Sequence, residues 1–115
     1  MTMDLMKSIK ISASGMQAQG VRLKVIAENL ANADSISDTP GGNPYRRKVV
    51  TFKDVLDRKL GADLVKVKNI GTDTSPFREK YDATSPAADA NGYVKMPNVN
   101  PLVELIIWRM SLGTS

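Results

Sequence analysis

Acidic residues are the first candidates for chemistry, because the 115-residue chain contains neither histidine nor cysteine. Those absences remove the commonest general base, the commonest metal ligand and any thiolate site. Asp54 and Asp57 could share a helix face, but two carboxylates without a pocket do not form a catalytic pair. Asp82, Asp89 and Asn91 lack the spacing of a calcium loop. The sequence therefore predicts no catalytic residue, no metal and no cofactor.

The next candidate is the basic cluster, which we define as Arg46, Arg47 and Lys48. The formal net charge is +4, so this cluster could contact nucleic acid. Such contacts usually come with interleaved aromatic residues or a known binding motif, and neither lies nearby. A solvated strand face is the favoured interpretation. The alternative function is a small basic module that homodimerises through its helix and binds nucleic acid.

The elements that would position any site begin with a long N-terminal helix. Steps of four and three residues define a heptad seam, which we call the packing seam: Leu5, Ile9, Ser12, Met16, Gln19, Leu23, Ile26 and Leu30. The pattern predicts a helix from about residue 3 to about residue 33, roughly 45 Å long. Burying its six apolar members would contribute on the order of 9–18 kcal/mol, so the seam requires a partner.

That partner is either this chain, which would make the helix an ordinary core helix, or a neighbouring chain. Ser12 and Gln19 are the two polar positions of the packing seam. Buried polar residues can fix the register of paired helices, and polar residues also occur at a solvated edge. Both interpretations stay open for these two residues.

The rest of the chain predicts an α+β fold with three parts: the helix at 1–34, a small β-rich unit at 35–98 and a short C-terminal helix at 99–115. The middle is expected to contain a strand at 45–52, one or two helical turns at 52–60, and strands around 65–70, 76–81 and 93–96. Asn100 followed by Pro101 predicts the start of the last helix. At about ten residues it would cover a third of the long helix, leaving most of the seam for neighbours.

The chain start has no apolar core typical of a cleaved secretory signal. No run of eighteen apolar residues occurs, so the sequence predicts no membrane-spanning helix. A protein of this kind working outside the cytoplasm would leave by a route that reads no cleaved signal.

Three segments in and just after the predicted long helix form a recognisable set: residues 14–19 (SGMQAQ), 22–23 (RL) and 27–33 (AENLANA). Together they resemble the signature of bacterial flagellar axial proteins, the rod, hook and hook-associated subunits. Residues 44–48 (PYRRK) and 91–101 (NGYVKMPNVNP) resemble the proximal rod proteins within that family. The signature positions are Ser14, Gly15, Gln19, Asn29, Ala31 and Asn32. The resemblance extends over about residues 3–106.

The resemblance implies a non-enzymatic structural subunit of the basal-body rod, which crosses the periplasm and serves motility. Its implied partners are other rod subunits, like and unlike itself, and the flagellar type III export apparatus, with no nucleic acid and no small-molecule substrate. The packing seam would then form coiled-coil contacts between subunits, and the basic cluster would meet acidic residues of an adjacent subunit. Phe52 and Leu56 fit a pattern shown to the export gate, although a place in the small core is the favoured role.

The end of the chain departs from that family. After Ile106 the family continues into a long amphipathic helix of several heptads, whereas residues 107–115 here read IWRMSLGTS. A frameshift or a truncated gene product would produce this pattern. The expected fold is therefore α+β without the family's long C-terminal helix.

Overall fold

The computed structural model describes the backbone of residues 2–113 and the side chains of residues 4–113. The elements are α1 (Thr2–Ala31), β1 (Lys48–Asp57), β2 (Ala62–Thr72), β3 (Arg78–Tyr81), β4 (Tyr93–Met96) and α2 (Pro101–Ser111). This order confirms the α+β class. Thr114 and Ser115, the end of the expected C-terminal segment, lie outside the described residues.

Helix α1 contains 30 residues and confirms the long helix predicted from the heptad pattern. Its C-terminal end is fixed by Asn32, whose Nδ2 donates to the Glu28 carbonyl at 2.9 Å and whose Oδ1 accepts from the Ser35 hydroxyl at 2.9 Å. The Glu28 carbonyl also accepts from the Asn32 N–H at 3.1 Å, so Asn32 closes the last turn through both its backbone and its side chain. Over residues 2–113, no helix has both the length and the apolar character needed to cross a bilayer.

Strands β1 and β2 form an antiparallel hairpin that packs against α1. The helical turns expected at 52–60 are wrong, because β1 continues to Asp57 and pairs Val55 with Leu64 along the way. The turn that follows ends at Gly61, whose φ of 70° suits glycine. Asp57 Oδ1 accepts from the N–H groups of Lys59 and Leu60, both at 3.1 Å.

Strands β3 and β4 form a second antiparallel pair. The rings of Tyr81 and Tyr93 meet edge to face across it, with centroids 5.4 Å apart. The intervening loop is held by Asp89, whose Oδ1 accepts from the N–H groups of Asn91 and Tyr93 at 2.9 and 3.0 Å. The strand predicted at 93–96 and the strand containing Val65 are confirmed. The strands predicted at 45–52 and 76–81 are present but begin later, at Lys48 and Arg78.

Helix α2 begins as the sequence predicts. Asn100 Oδ1 accepts from the N–H groups of Leu102 and Val103 at 3.1 and 3.4 Å, and Pro101 occupies the first turn. The helix packs against α1. The core between the elements is small and built largely from short side chains, namely Ala18, Val25, Ile26, Ala33, Ala87, Val94 and Val99. The division of the chain at residues 34 and 98 stays a prediction.

Candidate subunit-packing site

The packing seam divides into two halves in the folded chain. Its first half, Leu5 to Met16, is open to solvent, and we call it the open half. Leu5 is 61% exposed, Ile9 52% and Met16 74%. Its second half is largely covered: Leu23 and Leu30 are half-buried, and Ile26 is only 4% exposed. Ile26 therefore packs inside this chain, where it lines a cavity together with Glu104 and Ile107, and the first half is the more accessible part of the seam.

The hairpin packs on another face of α1. Ser14 is buried there, and its hydroxyl accepts from the Val65 N–H at 3.3 Å while donating to the Ile11 carbonyl at 2.8 Å. Ala18 and Val25 continue this face, and both are 5% exposed. Because the hairpin occupies this second face, it leaves the first half of the packing seam uncovered.

The open half of the seam contains a shallow cavity of about 320 Å³. Ile9, Ser12 and Met16 line it together with Ser8 and Ala13. Ser12 is exposed here, whereas Gln19 is half-buried and its Oε1 has no hydrogen-bond partner among the described residues. The two polar seam positions therefore differ in environment, since only Ser12 faces solvent in this chain.

Asn29, one of the signature positions, joins α1 to the start of β1. Its side chain is 1% exposed and makes three hydrogen bonds. Nδ2 donates to the Lys48 carbonyl at 3.0 Å, and Oδ1 accepts from the Lys48 N–H at 2.9 Å and from the Tyr45 hydroxyl at 2.7 Å. The Asn29 side-chain amide thus provides hydrogen-bond partners for the backbone N–H and carbonyl of Lys48, the first residue of β1.

The basic cluster is bound within the chain, so the expectation of a solvated strand face is wrong. Arg47 pairs with Glu104 and, at 3.3 Å, with Asp73. Lys48 Nζ lies 3.0 Å from Glu28 Oε2. The acidic partners expected from an adjacent subunit are therefore supplied by this chain itself.

The third member, Arg46, lies 4.1 Å from the ring centroid of Phe77 and donates to the Asp73 carbonyl at 2.8 Å. The whole cluster therefore forms a junction between the hairpin, α1 and α2, which we call the polar junction. One sequence signal could have located the polar junction: Glu104, an acidic residue in the first turn of α2, which is otherwise rich in apolar residues.

The charges of the polar junction are stabilised by their partners. Burial lowers the pKa of Arg47, but hydrogen bonding and the charges of Glu104 and Asp73 outweigh it, so its pKa lies above the usual value. The hydrogen bond to Glu28 and that carboxylate's charge raise the pKa of Lys48. Both side chains therefore stay cationic at neutral pH.

Asp73 gives a pH-dependent prediction. Hydrogen bonds from the Ser75 hydroxyl and N–H, followed by Arg47, hold the pKa of Asp73 below 3.8. Its contribution to stability is thus present above pH 3.8 and lost as the pH falls through the lower folded value. We expect Asp73→Asn to weaken the acid-induced loss of stability, by under about 1 kcal/mol because the group is partly solvated. Urea unfolding over a pH series measures it.

The matched control is Asp54→Asn, which removes a carboxylate from an exposed strand position. It removes one negative charge while leaving the hydrogen bonds and the ion pair of Asp73 intact. Superimposable pH curves for the wild type and Asp73→Asn would contradict the prediction.

The two residues of the export pattern differ in environment. Phe52 is half-buried beneath Arg22, whose guanidinium lies 4.8 Å from the ring centroid. Leu56 is 58% exposed near the end of β1. The favoured core role therefore fits Phe52 and is wrong for Leu56, because the hairpin extends past the packed region there.

Comparison with known proteins places this sequence in a family. A family model described as "Flagella basal body rod protein" matches residues 9–35, which include Ile9, Ser12 and Met16 of the open half of the seam, and Asn29. The flagellar basal-body rod protein FlgC of Agrobacterium fabrum is 54% identical over 96 residues, covering 84% of this chain and 69% of the relative. This chain belongs to the family of flagellar basal-body rod proteins.

Other rod proteins are similar in sequence to this chain over most of its length. FlgC of Salmonella typhimurium is 42% identical over 104 residues, covering 90% of this chain and 77% of the relative. FlgC of Bacillus subtilis is 40% identical over 114 residues, covering 86% of this chain and 76% of the relative. The protein is a structural subunit of the flagellar basal-body rod and serves motility.

The rod-protein signature thus contains residues with different positions in the fold. Ser14 and Asn29 bind the hairpin to α1, and Asn32 closes the helix. Gly15 and Gln19 line a cavity beside Phe52, and Ala31 is exposed. Part of the signature therefore maintains the fold of the single subunit.

Proposed function

We propose that this rod subunit assembles through the open half of the packing seam on α1, binding rod subunits like and unlike itself. The observation that carries the proposal is the row of exposed apolar side chains Leu5, Ile9 and Met16. Burying three such side chains would contribute on the order of 4–9 kcal/mol. That amount is enough to offset a substantial part of the entropy lost on association.

The single chain supports this helix unevenly. The side chains of residues 4–13 are exposed or half-buried, whereas those of Ala18, Val25 and Ile26 are buried. An isolated helical stretch shorter than about 12–15 residues is marginal in water. The first turns of α1 therefore gain order when neighbouring subunits cover them.

The proposal extends to delivery and location. The subunit would be exported by the flagellar type III apparatus without a cleaved signal and become part of the rod that crosses the periplasm. Leu56 is exposed near the tip of the hairpin, which leaves it accessible to an export component. Phe52 would become accessible in an unfolded export substrate.

The same role leaves no catalytic task for the chain, and we propose that it is not an enzyme. The nucleic-acid-binding alternative has no support, because Arg47 and Lys48 are paired with carboxylates of this chain. Cations that are already neutralised within the fold release few counterions on contact with phosphates.

Hydrogen exchange tests the assembly proposal. We expect amides of residues 5–16 to exchange rapidly in the isolated subunit and to be strongly protected in assembled rod, whereas residues 18–31 are protected in both. Mass spectrometry of the two samples measures the difference by peptide. Equal protection of residues 5–16 in both states would exclude the open half of the seam as the assembly contact.

A further inference from the structure

Helix α2 packs on α1 with a polar face turned inward. Glu104 is 0% exposed and Ser111 is 6% exposed, with the half-buried Ile107 between them, while the other large apolar residues of the helix lie at the surface. These exposed residues are Leu102, Val103, Leu105, Ile106, Trp108, Met110 and Leu112. The usual amphipathic helix has the opposite arrangement.

Helix geometry offers α2 two other orientations. We call the line from Glu104 to Ser111 on the helix surface the polar line. One apolar stripe, Val103, Ile106 and Met110, lies on one side of it. A second stripe, Leu105, Trp108 and Leu112, lies on the other side. At 3.6 residues per turn, a rotation of roughly a third of a turn in either direction would place one stripe against α1. Burial of apolar surface alone favours either rotation.

Ser111 does not hold the polar line inward, because its hydroxyl donates to the Ile107 carbonyl of its own helix at 2.8 Å. Glu104 does reach outside α2, since its Oε1 accepts from Arg47 Nε. Arg47 is itself fixed, with its backbone N–H donating to Asn98 Oδ1 at 2.7 Å and its NH1 donating to Asp73 at 3.3 Å. Of the described side-chain hydrogen bonds of residues 101–113, the Glu104–Arg47 bond therefore joins the inward face of α2 to another part of the chain.

The ion pair is not arranged for the greatest stability. Glu104 Oε2 is buried without a hydrogen-bond partner among the residues described. Beside Glu104 lies a cavity of about 250 Å³, also lined by Arg22 and Ile107. A buried carboxylate oxygen left without a partner is costly, so such a pair contributes less to stability than an ion pair whose oxygens are both hydrogen-bonded.

We propose that the Arg47–Glu104 ion pair sets the rotation of α2 about its own axis, holding its polar line against α1 and both apolar stripes at the surface. Arg47 and Glu104 are positioning residues in this sense, acting through the orientation of the helix. Buried polar pairs serve as orientation devices in other helical contacts, where apolar replacements are tolerated or stabilising. The inference rests on contacts within one chain and is independent of the proposed assembly surface.

Thiol labelling tests the rotation, because the chain contains no cysteine of its own. Ser111→Cys is nearly isosteric and places a single thiol on the inward face. We expect slow maleimide labelling in the otherwise unchanged protein. In the background of Arg47→Met with Glu104→Ala, which removes the pair without adding a large apolar side chain to the inward face, we expect labelling faster by about tenfold or more, since the thiol no longer depends on rare opening events. Amide protection over residues 101–111 should be retained.

Two controls separate rotation from general damage. Glu104→Gln keeps an acceptor for Arg47 and adds a donor, so the thiol should stay protected. Lys48→Met with Glu28→Leu removes the more exposed ion pair, whose side chains are 42% and 35% exposed, and should also leave labelling slow. Glu104→Ala alone, in which Arg47 keeps Asp73, should give the fast labelling if the double variant fails to fold.

Two results would overturn the inference. One is a protected thiol in a folded chain lacking the Arg47–Glu104 pair. The other is fast labelling together with lost amide protection over residues 101–111, because the pair would then hold α2 in place rather than set its rotation.

Discussion

Asn29→Ala is expected to lower the free energy of unfolding by about 3–5 kcal/mol, because it removes three hydrogen bonds at once. The Lys48 N–H and carbonyl and the Tyr45 hydroxyl all lose their partner, and the Asn29 site is almost closed to water. A domain of this size has a total stability of about 5–15 kcal/mol, so a large share of it would be lost. Urea unfolding followed by circular dichroism measures the change.

Asn32→Ala is the matched control. Asn32 is half-buried, and its two side-chain bonds reach only Glu28 and Ser35, within four residues of it. Water can replace these partners, so the loss should stay near or below about 1 kcal/mol. Equal losses for the two variants would show that the long-range role of Asn29 is wrong.

The contrast between these asparagines indicates what the sequence could reveal. Both stand in the segment 27–33, and local pattern predicts only the helix end at Asn32. The role of Asn29 depends on Lys48, nineteen residues away. Local rules likewise predicted the extent of α1 and the start of α2 at Asn100, because heptad spacing and capping act over a few residues.

The error over residues 52–60 has the same origin. Phe52, Val55 and Leu56 are spaced to suit one face of a helix as well as a strand, so their pattern alone is ambiguous. The pairing of Val55 with Leu64 decides for the strand, and that pairing forms across the turn at Gly61. Contacts made across a turn are not contained in a short sequence window.

The candidate site shows the same contrast between features set by local sequence and features set by distant residues. The heptad pattern located the packing seam, and Leu5, Ile9 and Met16 are exposed as a subunit contact requires. The pattern could not show that the hairpin binds the separate face containing Ser14 and Ala18. Nor could it show that Ile26 is buried beside a cavity that Ile107 also lines. Likewise, the partners of Arg47 lie 26 and 57 residues away, so its charge looked free in the sequence.

The open half of the seam gives the second large prediction. Ile9→Asp with Met16→Asp should weaken subunit association by more than about a hundredfold, since each buried charge costs several kcal/mol and 1.4 kcal/mol is tenfold. Both side chains are exposed in the single chain, at 52% and 74%. The free energy of unfolding should therefore change by no more than about 1 kcal/mol, the cost in helix propensity. Sedimentation velocity over a concentration series measures association.

A charge-matched variant decides what the aspartates disturb. Gln17→Asp with Lys24→Gln also lowers the net charge by two, and both positions are exposed on α1 outside the packing seam. If this variant associates like the wild type while the seam variant does not, the effect belongs to the apolar surface. If both weaken association equally, the net charge of +4 governs assembly instead, and the seam proposal fails. Burial of Ile9 and Met16 between subunits requires the first result, because a screened surface charge costs far less than one removed from water.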